Sequence, residues 1–262
     1  MIKDQETDLE RVTKIAAHRG GAQLWPENSR IAFRNAILLD VDFIEFDVHR
    51  TRDGVLVVHH DAVLGRTCEG TGAIADQDWS TLKTHRLHGT DGETLPTLSE
   101  VLDILTEGRP ALRLEIKYRA DRSRYPGLES ETLAALRKRG LLGRTTVTAF
   151  DLEVLREVQA LAPGQPTIHL IREQEYQVEG RQIAPYAQRA RAAGVREIAL
   201  RIEHIQEKDR DVCAAFGVEL GVFAAHDVPS IKHAFDLGVS AFTTDRPDLA
   251  LLVEKESLHP DR

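Results

Sequence analysis

Two histidines beside charged residues are the groups in this sequence best suited to proton transfer. His18 is followed by Arg19 and two glycines, and His60 stands before Asp61 at the end of an apolar run. An imidazole exchanges protons near neutral pH, and a planar guanidinium matches two oxygens of a phosphate group. Two histidines on opposite sides of a phosphorus would supply an acid and a base. A short motif such as His18-Arg19 also occurs in surface turns, so further residues must support this interpretation.

Carboxylates on a predicted strand form a second group. In the run Asp42–Val48, Glu45 and Asp47 alternate with apolar residues, so the carboxylates share one face of the strand. If the apolar face packs on helices, as in a barrel, both carboxylates point inward. Buried carboxylates repel each other unless a cation or a proton offsets them, so a hard divalent metal ion fits there. The alternative is a strand whose carboxylates are exposed at a sheet edge.

The next predicted strand repeats this alternation. Leu114 and Ile116 share one face, which leaves Arg113, Glu115 and Lys117 on the inner face. Glu115 would complete a set of oxygen ligands with the two carboxylates of the preceding strand, and Lys117 would neutralise a phosphoryl oxygen. The alternative is a structural Glu–Lys pair that fills the barrel.

Short apolar runs alternate with amphipathic stretches along the chain, which is typical of βα units around a parallel sheet. The predicted strands are Lys14–His18, Phe43–His49, Ala111–Lys117, Thr145–Phe150, Pro166–Ile171, Glu197–Arg201, Glu219–Ala224 and Ala241–Asp245. The clearest helical patterns are Ser29–Leu39, Leu98–Leu105, Glu129–Arg139, Leu152–Leu161 and Ser230–Leu237. Eight such units favour a closed (β/α)8 TIM barrel, in which reactive groups collect at the carboxyl ends of the strands. A doubly wound open sheet is the alternative.

One spacing departs from this rhythm. About sixty residues, Arg50 to Pro110, separate the second and third runs, whereas a barrel needs only a loop and a helix. Val55–His60 follows a turn signal and is predicted to be an extra extended segment. The stretch Asp61–Leu95 is predicted to be a small insertion at the barrel mouth. The prediction is thus a single domain, residues 1–262, with an insertion at about 61–95.

Composition narrows the function classes. The net charge of −8 argues against a broad nucleic-acid surface, and no apolar run approaches the ~20 residues needed to span a bilayer. Met1–Arg11 is charged and lacks the apolar stretch of a secretory signal. Cys68 and Cys213 form no metal-spaced or redox pair, which fits a reducing compartment. We therefore expect a cytoplasmic enzyme without integral membrane association and without a nucleic-acid partner.

The motifs taken in order resemble the glycerophosphodiester phosphodiesterase family, in particular its small bacterial cytoplasmic members. The resemblance extends from about Ala16 to Leu249, nearly the whole chain. It is carried by His18-Arg19-Gly20, Pro26-Glu27-Asn28-Ser29, Glu45-x-Asp47, Thr51-Arg52-Asp53-Gly54, His59-His60-Asp61, Leu64-x-Arg66-Thr67, Leu95-Pro96-Thr97-Leu98, Glu115-Ile116-Lys117 and Thr244-Asp245-Arg246-Pro247-Asp248. Family members are barrels with a small insertion after the second strand, as the spacing above also indicates.

The resemblance implies metal-dependent hydrolysis of glycerophosphodiesters to sn-glycerol 3-phosphate and an alcohol. It implies that His18 and His60 are the acid–base pair and that Arg19 and Lys117 bind phosphate. It implies Glu45, Asp47 and Glu115 as ligands of Mg²⁺ or Ca²⁺, and Glu27 as a residue that orients the site. In relatives the substrate's own neighbouring hydroxyl is thought to attack phosphorus, and water then opens the cyclic phosphate.

The chain departs from the family pattern at two places. Cys68 stands where many relatives have a threonine, and Val222–His226 replaces a segment in which many relatives carry a tryptophan. Because these last positions border the alcohol pocket, we expect Trp25 and Phe223 to set substrate choice. The alternative is that Trp25 caps the barrel and Phe223 fills its core. His226 either faces substrate or is a loop histidine without a ligand.

Three other functions are compatible with part of this pattern. A lysophospholipase D or a phosphodiester lyase on the same barrel would keep the same metal ligands and histidines. An unrelated metal-dependent hydrolase would more often carry a His-x-His motif on its first strand, and this sequence has none there. An inactive binding module would be expected to have lost a metal ligand or a histidine, whereas every motif position is filled in this sequence. The expected partner is a small-molecule substrate, and assembly into a homo-oligomer stays open. No role is assigned to His85, His88, His169, His204, His233 or His259.

Overall fold

The computed structural model describes residues 12–258 of the chain. The charged segment Met1–Arg11, from which the absence of a secretory signal was predicted, lies outside the described residues. So does His259, one of the histidines without an assigned role.

Eight parallel strands close into a barrel. The strand β1 (Lys14–Ala17) pairs with both β2 (Phe43–Arg50) and β9 (Ala241–Thr244), so the ring of parallel strands has no free edge and the doubly wound alternative is excluded. The predicted (β/α)8 TIM barrel is confirmed. Around the ring the order is β1, β2, β4, β5, β6, β7, β8, β9, while β3 pairs antiparallel with β2 outside the ring. The strands are β1 Lys14–Ala17, β2 Phe43–Arg50, β3 Leu56–Val58, β4 Ala111–Ile116, β5 Thr145–Ala149, β6 Thr167–Leu170, β7 Glu197–Arg201, β8 Glu219–Phe223 and β9 Ala241–Thr244.

Helices surround the barrel and begin and end at residues suited to those positions. Thr97 and Glu100 form a capping box at the start of α3, and Gly238 ends α9 in the left-handed conformation. No helix within residues 12–258 is long and apolar enough to cross a membrane. The helices are α1 Arg30–Ala36, α2 Trp79–Leu82, α3 Leu98–Leu105, α4 Leu128–Lys138, α5 Leu152–Leu161, α6 Glu173–Val178, α7 Ala184–Ala192, α8 Glu207–Ala215, α9 Val228–Leu237 and α10 Pro247–Leu258.

The main hydrophobic core lies between the strands and these helices. Ile44, Phe46 and Leu114 are fully buried in it, and the ring of Phe46 meets that of Phe33 on α1 edge to face at 5.9 Å. The apolar faces of β2 and β4 therefore point outward, as their alternation predicts. The same alternation directs the charged residues of these strands into the barrel.

The segment between β3 and α3 has a hydrophobic cluster of its own. Leu64, Ile74, Leu82 and Leu95 pack together with Val57 of β3. Only short elements form here, a 3₁₀ turn and the helix α2. The predicted extra extended segment is present as β3, and it delivers the following residues to the mouth of the barrel.

Candidate active site

Three carboxylates meet inside the barrel at the carboxyl ends of β2 and β4. Glu45, Asp47 and Glu115 each offer an oxygen within 4.8 Å of the other two. Their exposures are only 6%, 0% and 7%, respectively. Asp47 and Glu115 are register neighbours on adjacent parallel strands, which explains their proximity. The sequence-predicted ligand set is thus brought together.

Two cationic side chains contact this carboxylate cluster. The Nζ atom of Lys117 lies 2.9 Å from Oδ1 of Asp47 and 2.7 Å from Oε1 of Glu115. The Nε atom of Arg19 lies 3.5 Å from Oδ2 of Asp47. Both residues were predicted to bind phosphate, and the structure places both beside the carboxylate cluster; their binding of phosphate stays a prediction.

The charges of this cluster do not balance evenly. Burial alone raises the pKa of Asp47, but the charges of Lys117 and Arg19 outweigh it and hold that pKa well below its usual range. Burial raises the pKa of Glu45 well above its usual range, and the nearby charges of Asp47 and Glu115 add to the shift. An ionised Glu45 therefore needs one more positive charge. A hard divalent cation would supply it, so the three carboxylates fit a metal ion.

The backbone at Arg19 is shaped for this site. Arg19 has a left-handed conformation with φ of 50°, and its N–H donates to Oε2 of Glu45 at 3.0 Å. Gly20 follows with φ of 81°, and a Cβ atom built there would lie 2.9 Å from the Cβ of Ala32 on α1. Only glycine fits against the helix in this conformation. The glycine after His18-Arg19 thus lets the 3₁₀ turn His18–Gly20 approach the carboxylates.

His18 is held by a carboxylate from the far end of the chain. Its Nδ1 lies 2.5 Å from Oδ1 of Asp245, just after β9, and its Nε2 lies 3.9 Å from Oε2 of Glu45. The hydrogen bond to Asp245 places the proton on Nδ1 and leaves Nε2 on the side of the carboxylate cluster. Burial lowers the pKa of His18, and the hydrogen bond to Asp245 opposes this shift. A neutral imidazole facing the site can accept a proton.

His226 lies beside this pair. Its ring stacks on that of His18 with centroids 6.0 Å apart, and its Nδ1 accepts a hydrogen bond from the backbone N–H of Asp245 at 2.9 Å. His18, His226 and Asp245 form the second group among residues 12–258 whose ligand atoms lie close enough to hold a metal ion. Because the carboxylate of Asp245 is already hydrogen-bonded to His18, we interpret these three residues as a hydrogen-bonded group and not as a metal site.

The imidazole of His60, like that of His18, is held at Nδ1 by a carboxylate. Its Nδ1 lies 2.6 Å from Oδ1 of Asp61, and Arg66 binds that carboxylate at 2.6 Å. Arg66 also makes two bonds to Glu27, at 2.9 and 2.7 Å, and Glu27 accepts from Arg19 at 2.9 Å. A continuous chain of charged hydrogen bonds therefore links the loop that carries His18 and Arg19 to the loop that carries His60. Glu27, predicted to orient the site, stands in the middle of it.

Asn28 is a site residue to which sequence reasoning assigned no role. It has a left-handed backbone with φ of 54°, and its Nδ2 donates to Oδ2 of Asp47 at 2.8 Å. The next residue, Ser29, caps α1 by accepting from the N–H of Ala32. The signal was present in the Pro26–Ser29 motif, because a small amide before a helix cap suits a left-handed position.

The aromatic residues predicted to choose the substrate lie at the mouth. Trp25 is half-buried and packs over Gly21, while Phe223 is half-buried at the carboxyl end of β8. The ring of Phe223 meets that of Phe150 edge to face at 6.2 Å, and Phe150 packs under the guanidinium of Arg172 at 4.9 Å. Neither predicted residue is fully buried in the core. Their role in specificity stays a prediction.

Comparison with known proteins agrees with this architecture. Residues 18–249 match the model of the glycerophosphoryl diester phosphodiesterase family. The chain belongs to this family. A glycerophosphodiester phosphodiesterase of Bacillus altitudinis is 30% identical over 254 residues, which cover 94% of this chain and 99% of the relative. The predicted class, a phosphodiester hydrolase, is confirmed.

Solved structures support the same assignment. A protein from Agrobacterium tumefaciens str. C58 superposes with a TM-score of 0.89 at 32% identity, covering 94% of this chain and 98% of that one. A glycerophosphodiester phosphodiesterase from the same organism gives a TM-score of 0.75 at 25% identity, with coverage of 92% and 99%. The barrel is therefore that of the family.

Proposed function

We propose that this site hydrolyses glycerophosphodiesters to sn-glycerol 3-phosphate and an alcohol with the help of Mg²⁺ or Ca²⁺. The observation that carries the proposal is the cluster of Glu45, Asp47 and Glu115, flanked by two histidines from different loops. A small-molecule diester is the partner that such a buried anion-binding site suits.

The two histidines support acid–base chemistry because each is held at Nδ1 by a carboxylate. Asp245 holds His18 and Asp61 holds His60, so each ring keeps Nε2 for a reacting atom. One imidazole would remove the proton from the attacking hydroxyl, and the other would give a proton to the leaving alcohol oxygen. The neighbouring hydroxyl of the glycerol would bond to phosphorus as the P–O bond to the leaving alcohol breaks, which gives a cyclic phosphate. In the second step water would attack phosphorus, one P–O bond of the ring would break to give glycerol phosphate, and the histidines would exchange roles.

Arg19 and Lys117 would bind the phosphoryl oxygens. Both are already held among the carboxylates, so little reorganisation accompanies binding. Glu45, Asp47 and Glu115 would hold the divalent cation, which when bound polarises the phosphoryl oxygens and neutralises charge. Oxygen-only ligands favour Mg²⁺ or Ca²⁺ over softer metals.

The direct test is product analysis. The protein is incubated with glycerophosphocholine, glycerophosphoethanolamine and glycerophosphoglycerol plus Mg²⁺ or Ca²⁺, and phosphorus NMR follows the products. We expect sn-glycerol 3-phosphate as the final product. A cyclic phosphate that accumulates without being opened would instead identify a lyase.

A matched substrate tests the attacking group. A propanediol phosphocholine that lacks the neighbouring hydroxyl keeps the same phosphate and the same leaving alcohol. We expect it to bind as a competitive inhibitor and to resist cleavage. Cleavage at the rate of glycerophosphocholine would show that water attacks directly.

A further inference from the structure

Two buried histidines, His49 and His59, lie against the loop that carries His60. Their exposed fractions are only 1% each. His49 is on β2, and His59 directly follows β3. Neither ring is hydrogen-bonded to the carboxylate cluster, and the proposed reaction uses neither residue. A buried imidazole needs partners for both ring nitrogens, so their partners indicate what these residues do.

His49 makes one hydrogen bond on each side of its ring. Its Nε2 lies 3.1 Å from the backbone oxygen of His60, and its Nδ1 lies 3.0 Å from the hydroxyl of Tyr125. A carbonyl oxygen only accepts, so Nε2 carries the proton. The hydroxyl of Tyr125 then donates to Nδ1.

His59 has the opposite tautomer. Its Nδ1 lies 2.8 Å from the backbone oxygen of Asp61, and its Nε2 lies 3.0 Å from the hydroxyl of Thr67. The ring therefore donates from Nδ1 and accepts at Nε2. Two neutral imidazoles thus bind the two successive carbonyl oxygens of His60 and Asp61. One comes from the barrel strand, and the other lies between β3 and the inserted segment.

We propose that His49 and His59 are positioning residues that fix the backbone turn at His60–Asp61 and so aim the His60 imidazole at the substrate. The inference rests on the proposed role of His60. A carbonyl that is held fixes the peptide plane and with it the direction of the Cα–Cβ bond. Misplacement of a catalytic group by about 1 Å costs roughly 10²-fold in rate, so small rotations of this turn matter.

The test uses pairs of variants that remove or keep the donor. His49→Leu and His59→Leu remove the N–H to the carbonyl. In His49→Gln the side-chain amide lies near Nε2, and in His59→Asn it lies near Nδ1, so each retains a donor. We expect the Leu variants to lose roughly 10- to 100-fold in kcat with KM changed less than about 2-fold. The Gln and Asn variants should recover to within about 3-fold of the parent.

Two further measurements separate positioning from other effects. Because His49 is two residues from Asp47, the Kd of Ca²⁺ is measured by calorimetry, and we expect it to be the same in parent and variants. Tyr125→Phe removes only the hydroxyl bonded to Nδ1 of His49 and should cost less in kcat than His49→Leu. Folded Leu variants with the parent's kcat, or amide variants as slow as the Leu variants, would overturn the proposal. If His49→Leu does not fold, the His59 pair decides.

The same assay distinguishes this inference from the proposed function. His60→Ala is measured in parallel. If His60→Ala is inactive and the Leu variants are fully active, only the positioning inference is wrong. If His60→Ala keeps the parent's activity, the acid–base role of His60 is itself wrong, and the positioning inference is overturned with it.

Discussion

The two ends of the barrel interior carry charge in contrasting ways. At the carboxyl ends of the strands, three buried carboxylates share two cationic side chains. Toward the amino end, Arg113 pairs with Glu197 at 3.2 Å and its guanidinium stacks over Phe43 at 4.5 Å. Here one carboxylate meets one guanidinium: burial raises the pKa of Glu197, the Arg113 charge opposes that shift, and the nearby Glu219 adds to it. Gly221 leaves the room that Glu197 occupies. We infer from this contrast that the Arg113–Glu197 pair contributes to stability, whereas the three carboxylates at the other end are available to bind a cation.

The largest expected effect is a loss of turnover, and it concerns the carboxyl end of the barrel. We predict that His18→Ala or His60→Ala lowers kcat roughly 10²- to 10⁴-fold, because each removes one of the two proton-transfer groups. The thermal midpoint should change little, since both rings are partly exposed. Steady-state kinetics and calorimetry on the same preparations check both statements. A variant that retains nearly full activity would remove that histidine from the acid–base pair.

Breaking the Arg113–Glu197 pair should affect stability instead of turnover. Glu197→Gln leaves the Arg113 charge buried and without an ionic partner, which we expect to cost about 3–5 kcal/mol in the free energy of unfolding. The ratio kcat/KM should stay within about 2-fold of the parent. Urea denaturation measures the first quantity, and the double variant Arg113→Met, Glu197→Leu is the control that should recover most of the loss. Reduced turnover at full stability would contradict the comparison.

The next prediction concerns how the free energy of unfolding depends on pH through His49, which lies near the carboxylate end of the barrel. Burial lowers the pKa of His49 to about 3, while the same residue in the unfolded chain titrates near its ordinary value of 6.5. The unfolded chain therefore binds an extra proton below pH 6.5, and stability is lost as the pH falls. Between pH 7 and pH 5 the loss from His49 is about 2 kcal/mol. Urea midpoints across this range should fall less steeply in His49→Gln than in the parent, and equal slopes would refute the assignment.

The smallest expected effect is on substrate choice. We predict that Trp25→Ala and Phe223→Ala change the ratio of kcat/KM for choline, ethanolamine and glycerol diesters by roughly 2- to 5-fold, the value of a cation–π contact of about 0.5–1 kcal/mol. A core residue would instead lower stability by about 3–5 kcal/mol on truncation. Melting temperatures are measured beside the substrate ratios. Large stability losses with unchanged ratios would favour the core alternative.

The sequence predicted the parts of this molecule that depend on local periodicity. Glu45, Asp47 and Glu115 could be assigned to one interior face because strand side chains alternate with a period of two. The gap after β2 likewise predicted an insertion. The directions of these side chains could be predicted because the alternation of a few residues, together with the barrel fold, decides which face of each strand points inward.

Partnerships across the closed barrel could not be predicted in this way. Asp245 binds His18 across 227 positions of sequence, and Glu197 pairs with Arg113 across 84. These contacts depend on how the ring closes and on the stagger of its strands, which no local pattern specifies. The contacts of His49 could not be predicted for a related reason. Its partner Tyr125 comes from a loop whose path only the tertiary structure defines.

The central claim is that Glu45, Asp47 and Glu115 hold a divalent cation. Calorimetric titration of the metal-free protein with Ca²⁺ and with Mg²⁺ tests this claim most directly. We expect one site per chain in the parent and in Glu197→Gln, but no binding in Glu45→Gln or Glu115→Gln. At about 100 times Kd, the bound ion should add about 2.7 kcal/mol to the parent's stability. Metal-free Glu45→Gln should be at least as stable as the metal-free parent, because it removes an unbalanced charge. Parent-like metal binding in Glu45→Gln and Glu115→Gln would contradict the account.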